Sequence, residues 1–439
     1  MKKKYRIILY TSIFLLCVVA SIILVVKKSN SVYEEESKPK VVKHKSMLSM
    51  NLEQTAGSGD YKTVTQSSWP TEGYKFNAEL SKCENGSTLS WDDTKKAVIM
   101  QGNVSDKCYV YFDIWIPSIA DYCTSGTDLA TCVKNFGDQG PSVSNIYIHN
   151  SSLTNGAGDN SYRYAGANPN NFVCFGSDAS PCPIDNLYRI IGVFGENYHG
   201  ANGKQLVKLI KYDYMTTDEL GTDGDYSQTY KEWGMDSTYK GTYGDGERIG
   251  VYYWNYKATG SATNTWSTSL LNKTNLNTNF INNIGTTWAN KIATVTWKVG
   301  GNTWANIGTN TSSVAYTNEI TNPVTTNTTD NATTYSAKIG LMYVSDYGFA
   351  ASPDAWTLTM SSYNNTTATN NNWMYMGLYE WTISRGAGSS NFAFCVDYDG
   401  YVGDDLVDGN YGVRASFNLE SSVSYVSGSG SMSDPIVIN

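Results

Sequence analysis

Two stretches of sequence decide the fold: LYRIIGVF at 187–194 and QLVKLIKYDY at 205–214. Both are rich in β-branched, aromatic and other apolar residues, which is typical of strands. The loop between them ends in Asn202-Gly203, a pair that favours tight turns, so the two stretches predict an antiparallel hairpin with a long loop. We expect this hairpin to lie in a larger unit that begins near Ile146.

Further strand-like stretches follow toward the C-terminus. They are IGLMYVSDYGFA (339–350), NFAFCVDYDGYVGDD (391–405), GVRASFNL (412–419) and the terminal DPIVIN. Asp399-Gly400, between FAFCVDY and YVG, is the strongest hairpin signal in the chain. Residues 266–284 predict a helix instead, because their apolar residues recur at intervals of four and a glycine follows.

The part of the chain before the larger unit predicts a smaller β domain. Its strand-like stretches are YKTVTQ (61–66), KKAVIMQG (95–102) and CYVYFDIW (108–115). Residues 127–136 predict one short helix, because four apolar residues in it are spaced i, i+3, i+4 and i+7. The fold class is therefore a β-dominated α+β protein, with a small β-sandwich-like domain at 59–140 and an α+β module at 146–439.

Composition and charge narrow the functional classes. The 439 residues are 41% hydrophobic, 13% aromatic and only 16% charged, against about 25% charged in ordinary proteins. The first 45 residues carry a net +7, which leaves −15 on the rest of a chain whose total is −8. Such an acidic body argues against nucleic acid as a partner, because phosphate binding needs a basic surface.

The basic N-terminus carries a long apolar run, IILYTSIFLLCVVASIILVV at 7–26. Twenty uncharged residues are the length of a helix that crosses a ~30 Å hydrocarbon core. Basic residues at 1–6 favour a cytoplasmic tail, and residues 27–58 then form a stalk. These features predict a single-pass cell-membrane protein whose bulk is extracellular, with a cleaved signal peptide or a buried core helix as alternatives.

Six of the eight cysteines form local pairs whose spacing does not suit zinc. The predicted disulfides are Cys83 with Cys108, Cys123 with Cys132, and Cys174 with Cys182. Disulfides suit an exported chain, although buried reduced thiols would show the same spacing. Cys395 has no local partner, and the alternation of FAFCVD around it predicts a buried thiol in a strand.

Catalytic motifs are scarce. The three histidines do not pair at short spacing, and the chain has no GxSxG motif, P-loop or dinucleotide fingerprint, so we do not expect an enzyme. A hydrolase acting on glycans or cell walls would have to use carboxylates, for which the candidates are Asp346, Glu380, Asp397 and Asp399. A structural coat protein is a further alternative.

The C-terminal region holds the candidate binding residues. Tyrosine and tryptophan rings stack on sugars or anchor protein partners, so we expect a surface glycan or a protein as ligand, at Trp373, Trp381, Arg385, Asp397 and Asp399. No cofactor is expected, apart from a calcium ion that oxygen ligands at alternate positions could hold. Those acids are Asp397, Asp399, Asp404, Asp405 and Asp408, but the run lacks the residue order of a calcium-binding loop, so ordinary Asp-Gly turn chemistry is the favoured explanation.

Several stretches, taken in order, carry a resemblance. They are SSWP, GYKFN, SKCENGS and SDKCYVYFD within 67–113, SYRYAGANPNNFVCFGSDASPCPIDNLYRIIGVF (161–194), WSTSLLNKTNLNTNF, IGLMYVSDYGFA, EWTIS (380–384) and GVRASFNLESSVSYVSGSGSMSDPIVI (412–438). Together they resemble a group of uncharacterised single-anchor surface proteins of low-GC Gram-positive bacteria and their wall-less relatives. The C-terminal module is similar to the C-type-lectin-like fold of formylglycine-generating enzymes, in which a late Gly-x-Arg closes the core, here Gly412-Val413-Arg414.

The resemblance implies a surface protein with a lectin-like scaffold that displays variable loops. It does not imply the modifying activity, which relies on a pair of cysteines in the C-terminal half, because only Cys395 follows residue 182. Calcium-binding triplets of the lectin type, such as Glu-Pro-Asn, are missing as well. The function that we expect is an adhesin-like, non-catalytic binding module.

Overall fold

The computed structural model describes most of the chain after residue 47. The described residues are 48–65, 68–102, 105–195, 199, 201, 203–234, 237–303, 310–323, 332–364 and 366–439. They divide into two compact units, one ending at Ile116 and the other spanning Pro117–Asn439. The protein is mixed α+β and strand-rich, with several small sheets and short helices, which confirms the predicted class at that level.

The first unit contains a four-stranded sheet and a separate hairpin. Its strands are β1 (Leu48–Glu53), β2 (Tyr61–Val64), β3 (Tyr74–Cys83), β4 (Thr88–Asp92), β5 (Ala97–Gln101) and β6 (Cys108–Ile114). The sheet order is β2-β1-β6-β3, and β4 pairs with β5. Met50, Leu52, Val110 and Phe112 form its buried core, and their alternation along β1 and β6 places all four on one face.

Strand β1 lies where the sequence predicted a stalk over 27–58. It pairs in parallel with β6, with Met50 opposite Val110 and Leu52 opposite Phe112. Two apolar residues at period two are enough to add a strand once a neighbouring strand supplies the other half of the core. The rest of the predicted stalk, 27–47, lies outside the described residues.

The second unit holds the remaining strands. They are β7 (Ile146–Ile148), β8 (Tyr162–Tyr164), β9 (Phe172–Cys174), β10 (Leu187–Phe194), β11 (Leu206–Lys211), β12 (Tyr226–Thr229), β13 (Gly250–Tyr253), β14 (Val295–Lys298), β15 (Thr334–Ala337), β16 (Ile339–Gly340), β17 (Glu380–Arg385), β18 (Phe392–Val396), β19 (Val402–Leu406), β20 (Asn410–Tyr411), β21 (Ser416–Asn418), β22 (Tyr425–Ser427) and β23 (Val437–Ile438). The main sheet has the order β16-β21-β11-β10-β8-β7, and β9 pairs with the end of β10.

The predicted long-looped hairpin is the centre of this sheet. β10 and β11 pair antiparallel, and every residue in both strands is buried. The register shifts between Ile190 and Gly192, and a Cβ at Gly192 would lie 2.2 Å from the Tyr162 carbonyl oxygen. Glycine therefore allows β8 to approach β10 closely at this position.

The hairpin predicted around Asp399-Gly400 is also confirmed. β18 and β19 pair antiparallel, with Cys395 opposite Gly403, and β17 completes a three-stranded sheet in the order β17-β18-β19. Gly400 has a φ of +102°, which an L-residue rarely adopts. Three further small sheets of the second unit are β12-β13-β20, β14-β15 and β22-β23.

The helices are short. The α-helices are Leu129–Gly137, Pro141–Ser144, Thr217–Leu220, Tyr230–Trp233, Ile281–Ala289, Ser312–Tyr316, Val344–Ala350 and Thr366–Asn370; the 3-10 turns are Ile119–Asp121, Ile184–Asn186, Pro353–Ala355 and Met360–Ser362; the π-helical segments are Leu271–Phe280 and Thr317–Thr321. The helix predicted over 127–136 is confirmed, with Asp128 as N-cap. Our sequence-based boundary placed it in the smaller domain, whereas its buried face belongs to the core of the second unit.

The helix predicted over 266–284 forms with a wider first half. Leu271–Phe280 is π-helical, and Ile281–Ala289 follows as α-helix that is interrupted at Gly285, whose φ of +75° is not helical. Asn277 donates from Nδ2 to the Asn272 carbonyl, five residues earlier (3.0 Å). Such side-chain bonds compete with the regular ladder and favour a locally wider helix.

The strand predicted over 339–350 is wrong for most of its length. Only Ile339–Gly340 is a strand, and Val344–Ala350 is a helix. The buried Glu319 carboxylate accepts from the N–H groups of Val344 (3.2 Å) and Ser345 (3.0 Å). Carboxyl oxygens that accept from otherwise free N–H groups satisfy a helix start, and these come from a residue 25 positions earlier in the chain.

The three predicted disulfides are formed. They join Cys83 to Cys108, Cys123 to Cys132, and Cys174 to Cys182. Cys395 is a buried free thiol in β18, as its alternating neighbours predicted.

The predicted membrane anchor is not supported. A helix that spans a bilayer needs about 20 predominantly apolar residues, and no helix in the described part of the chain is long and apolar enough. The prediction of a single-pass membrane protein with a cytoplasmic tail and an extracellular bulk is therefore withdrawn. The apolar run at 7–26 and the tail at 1–6 themselves lie outside the described residues.

Candidate functional site

The three non-acidic residues predicted to bind ligand lie in the core. The side chains of Trp373, Trp381 and Arg385 are at most 3% exposed. Trp373 donates its ring N–H to the Tyr164 carbonyl (3.0 Å), and Trp381 donates to the Tyr252 carbonyl (2.8 Å). Both tryptophans therefore tie neighbouring segments of backbone together and present no open ring face.

The five acids of the candidate calcium set lie along the β18–β19 hairpin and just after it. Asp397 is buried at the start of the turn and Asp399 is half-buried in it, while Asp404 and Asp405 lie on β19 and Asp408 follows the strand. Burial raises the pKa of Asp397 and of Asp404 above the ordinary value. The hairpin thus holds several carboxylates in a partly desolvated environment.

These acids do not converge as metal ligands. Within the described ranges, one group of three ligating side chains has donor atoms within 4.8 Å of one another, and it consists of Cys83, Asp106 and Cys108. Two of its members are joined in a disulfide, so the group cannot offer thiolates to a metal. The calcium hypothesis has no matching geometry in this part of the chain.

An open cavity lies beside the hairpin instead. Its volume is about 180 Å³, and its lining residues are Tyr230, Trp233, Gly234, Leu378, Tyr379 and Tyr398. We call it the aromatic cleft. Four of its six lining residues are aromatic, and they come from three separate segments of the second unit.

Local chemistry positions the tryptophan. Thr229 and Glu232 form a reciprocal capping box that starts the helix Tyr230–Trp233, as expected for a Thr-x-x-Glu pattern. Gly234 has a φ of +111° and ends the helix after one turn. Trp233 is thereby held at the end of a short, capped helix with its ring half-buried.

The rings are mutually inclined around Tyr379. Trp233 lies 5.3 Å from Tyr379 at an interplanar angle of 68°, and Tyr398 lies 5.3 Å from it at 56°. On its other side, Tyr379 stacks on Tyr411 at 4.9 Å and 15°. Tyr379 is therefore the floor of the cleft, and Trp233 and Tyr398 are two walls.

Hydrogen bonds hold the backbone of the cleft in place. The Tyr230 hydroxyl donates to the Tyr379 carbonyl, and the Tyr214 hydroxyl donates to the Leu378 carbonyl (3.0 Å). The Tyr375 hydroxyl donates to the Tyr398 carbonyl (2.6 Å). Because all three segments are fixed by buried phenols, the cleft is preorganised.

The electrostatic environment of the cleft is acidic. Burial and the neighbouring Asp397 raise the pKa of the Tyr379 phenol, so the ring stays neutral. No ion pair involves Asp397, Asp399 or Asp405 within the described residues. On the helix that lines the cleft, Lys231 is paired with Glu247.

A second group of charges, which we call the buried ionic cluster, lies inside the core. Its members are Asp159, Arg163, Lys208, Glu319 and Asp346, all at most 2% exposed on their side chains or residues. Arg163 Nη2 lies 2.8 Å from Asp159 Oδ2, and Lys208 Nζ lies 2.5 Å from Asp346 Oδ2. The cations Arg163 and Lys208 therefore face the anions Asp159 and Asp346. Burial raises the pKa of the fifth member, Glu319, to about 7.

The histidines and the remaining carboxylate candidate are engaged in the core as well. His199 Nε2 lies 3.0 Å from Asp159 Oδ2, while His149 packs against Phe349. Glu380 Oε1 accepts from Arg414 Nε at 2.8 Å. These groups act in buried contacts and offer no solvent-facing acid or base.

Trp233, Tyr379 and Tyr398 were not among the residues predicted from sequence. Trp233 had a usable signal, because a Thr-x-x-Glu box followed by a tryptophan and a glycine predicts a one-turn helix that presents an aromatic ring. Tyr398 lies beside the Asp399-Gly400 turn, where exposure is the rule. Nothing local distinguishes Tyr379 from the buried tyrosines around it.

No protein-family model, curated protein or solved structure matches this chain.

Proposed function

We propose that this protein is a non-catalytic binding module whose ligand occupies the aromatic cleft. The observation that supports this proposal is an open cavity of about 180 Å³ in which four of six lining residues are aromatic. Exposed rings on a rigid support provide large contact area at little cost in conformational entropy. Concave, mostly apolar sites of this kind are the usual place for small ligands.

The scaffold of this proposal is a lectin-like module preceded by a small β-sandwich-like unit. The late Gly-x-Arg supports it, because Arg414 lies fully buried and bonds both Glu380 (2.8 Å) and the Met374 carbonyl (2.7 Å). An arginine so placed ties β17 to the segments around it. The cleft residues then lie on the connections of that scaffold, where binding sites are commonly placed.

The positions of the carboxylates support a binding role over catalysis. Glycoside hydrolysis needs two carboxyl groups facing one substrate site. Asp346 is held by Lys208 and Arg163, and Glu380 is held by Arg414. Neither is placed to act on a ligand in the cleft. Asp397, the candidate beside the floor ring, is 5% exposed and accepts hydrogen bonds from the Tyr379 and Tyr401 hydroxyls, and neither it nor Asp399 lines the cleft.

Saturation-transfer NMR on the full chain tests this function. The probes are a panel of monosaccharides, amino acids and small amines at millimolar concentration. We expect at least one compound to give a signal that Trp233→Leu and Tyr398→Ala remove. Tyr256→Ala is the matched control, because Tyr256 is 47% exposed and stacks on Tyr253 elsewhere on the surface.

The control variant should bind as the wild type does. A panel without any signal, or with signals that both cleft variants retain, would show that the cleft is not a ligand site.

A further inference from the structure

We propose that the ligand of the aromatic cleft is an organic cation, a methylated ammonium group, an inference that rests on the proposed binding function. The observation is the combination of inclined aromatic walls with two carboxylates that are bonded to the hydroxyls of Tyr379 and of Tyr411, the ring stacked on it. Ring faces attract cations through their quadrupole, and cages of several rings recognise quaternary ammonium groups.

The ring arrangement provides the cage. Trp233 and Tyr398 each incline toward the floor ring Tyr379 at 68° and 56°. Trp233 and Tyr398 both line the cavity, and within the described residues no ring contact joins them. Tyr230 packs against Trp233 with ring centroids 5.2 Å apart and is itself buried. A cation in the cavity would therefore lie near the rings of Trp233, Tyr379 and Tyr398.

Charge favours a positive ligand. Asp397 is 5% exposed and interacts with the phenol of the floor ring. Asp405 accepts a hydrogen bond from the Tyr411 hydroxyl, and the Tyr411 ring stacks on the floor ring Tyr379. Both carboxylates accept hydroxyl hydrogen bonds, and a cation over the Tyr379 ring would be attracted by their negative charge.

The basic groups near the cleft are already committed. Lys231 pairs with Glu247, and Arg414 pairs with Glu380. Lys240 lies over the Tyr375 ring at 4.3 Å, and Tyr375 is not a lining residue. Among the described residues, the lining contains no basic side chain.

Two of the backbone carbonyl groups in the lining are already hydrogen-bonded within the protein. The Tyr230 hydroxyl and the Tyr379 carbonyl bond each other. The Leu378 carbonyl and N–H both bond the Tyr214 hydroxyl. A sugar brings several hydroxyls that would need partners, whereas a fully methylated, quaternary ammonium group carries no N–H donor.

The size of the cleft is consistent with this assignment. Sites for drug-sized ligands measure about 300–1,000 Å³, and this cleft measures about 180 Å³. It accommodates a head group and leaves the rest of a larger molecule in solvent.

The test compares choline with its neutral isostere, 3,3-dimethylbutan-1-ol, by titration calorimetry on the full chain. We expect choline to bind at least tenfold more tightly, and raising sodium chloride from 0.05 to 1 M to weaken choline alone. Trp233→Phe should retain most of the preference, because it keeps a ring, and Trp233→Leu should remove it. Asp397→Asn should reduce the choline affinity several-fold and leave the isostere unchanged.

The outcomes separate the two proposals. Equal affinity for choline and the isostere, or cleft-dependent binding of neutral sugars without choline binding, would refute the cation inference and leave the binding function intact. Absence of any cleft-dependent binding in both experiments would refute both. Because the isostere comparison uses the wild-type chain, it does not depend on the folding of any variant.

Discussion

Glu319→Gln tests the energetics of the buried core, because the difference in unfolding free energy between this variant and the wild type should change sign with pH. The Glu319 carboxylate accepts from the Ser384 hydroxyl and from the N–H groups of Val344 and Ser345. Burial raises its pKa from 4.5 to about 7. The substitution keeps the shape of the side chain and removes the ionisable group.

The magnitude follows from proton linkage. Because the folded-state pKa is the higher one, the folded chain binds more protons than the unfolded chain between pH 4.5 and 7. The stability contributed by Glu319 is fully present below pH 4.5 and is lost as the pH rises through about 7. At about 1.4 kcal/mol per pH unit, that interval corresponds to about 3 kcal/mol.

The free energy of unfolding of the variant should therefore lie below that of the wild type at low pH and above it at high pH. At pH 4.5 the amide of the glutamine loses one acceptor position against a backbone N–H, which costs about 1 kcal/mol. At pH 8 the wild type has lost about 3 kcal/mol that the variant does not lose, so Glu319→Gln should be the more stable protein by about 2 kcal/mol.

Urea unfolding of the full, unreduced chain, followed by tryptophan fluorescence at pH 4.5 and pH 8, measures this difference. Subtracting one protein from the other removes the contributions of the remaining titratable groups. Glu420→Gln is the matched control, because Glu420 pairs with Lys204 at the surface (3.5 Å) and should follow the wild-type profile. If the wild type and Glu319→Gln differ by the same free energy at both pH values, Glu319 is not held protonated and the reasoning fails.

Three further predictions concern the ion pair, the central sheet and a disulfide. Arg414→Met should destabilise the second unit by about 3–5 kcal/mol in urea unfolding, because it leaves the Glu380 carboxylate buried without its partner, and adding Glu380→Leu should recover most of the loss; a double variant no better than the single one contradicts this. Gly192→Ala should lower the midpoint of thermal unfolding, because its Cβ would meet backbone at 2.2 Å, whereas Gly195→Ala, with nothing within 4 Å, should not; equal midpoints would overturn the close-approach argument. Cys174→Ser should reduce the unfolding free energy by about 2–3 kcal/mol, since the disulfide closes a short loop, and unchanged urea unfolding would mean that the bond does not form.

The sequence predicted elements that depend on neighbouring residues. The helix Leu129–Gly137 carries its own N-cap in Asp128 and its own apolar spacing. The hairpin at Asp399-Gly400 carries its own turn. The helix Val344–Ala350 was missed, because its N–H groups are satisfied by Glu319, 25 residues before it.

The candidate site also has features that neighbouring residues predict and features that depend on distant contacts. The sequence analysis chose aromatic and charged residues before and within the C-terminal hairpin as a binding surface, and the aromatic cleft lies beside that hairpin with a different set of lining residues. The tryptophans chosen from sequence, Trp373 and Trp381, are buried, whereas Trp233 lies on the cleft. Which ring is buried depends on the segments packed against it, and those segments are far apart in the sequence.

The amino-acid sequence by itself determined the α+β class, the three cysteine pairs, the central hairpin β10–β11 and the acidic charge of the body, because each depends on local pattern or on composition. Only the tertiary structure decided that residues from three distant segments meet around Tyr379. Only the fold, likewise, placed Glu319 at the start of a helix. Long-range packing has no local signature, since the same tyrosine or glutamate fits a core or a surface until its neighbours are in place.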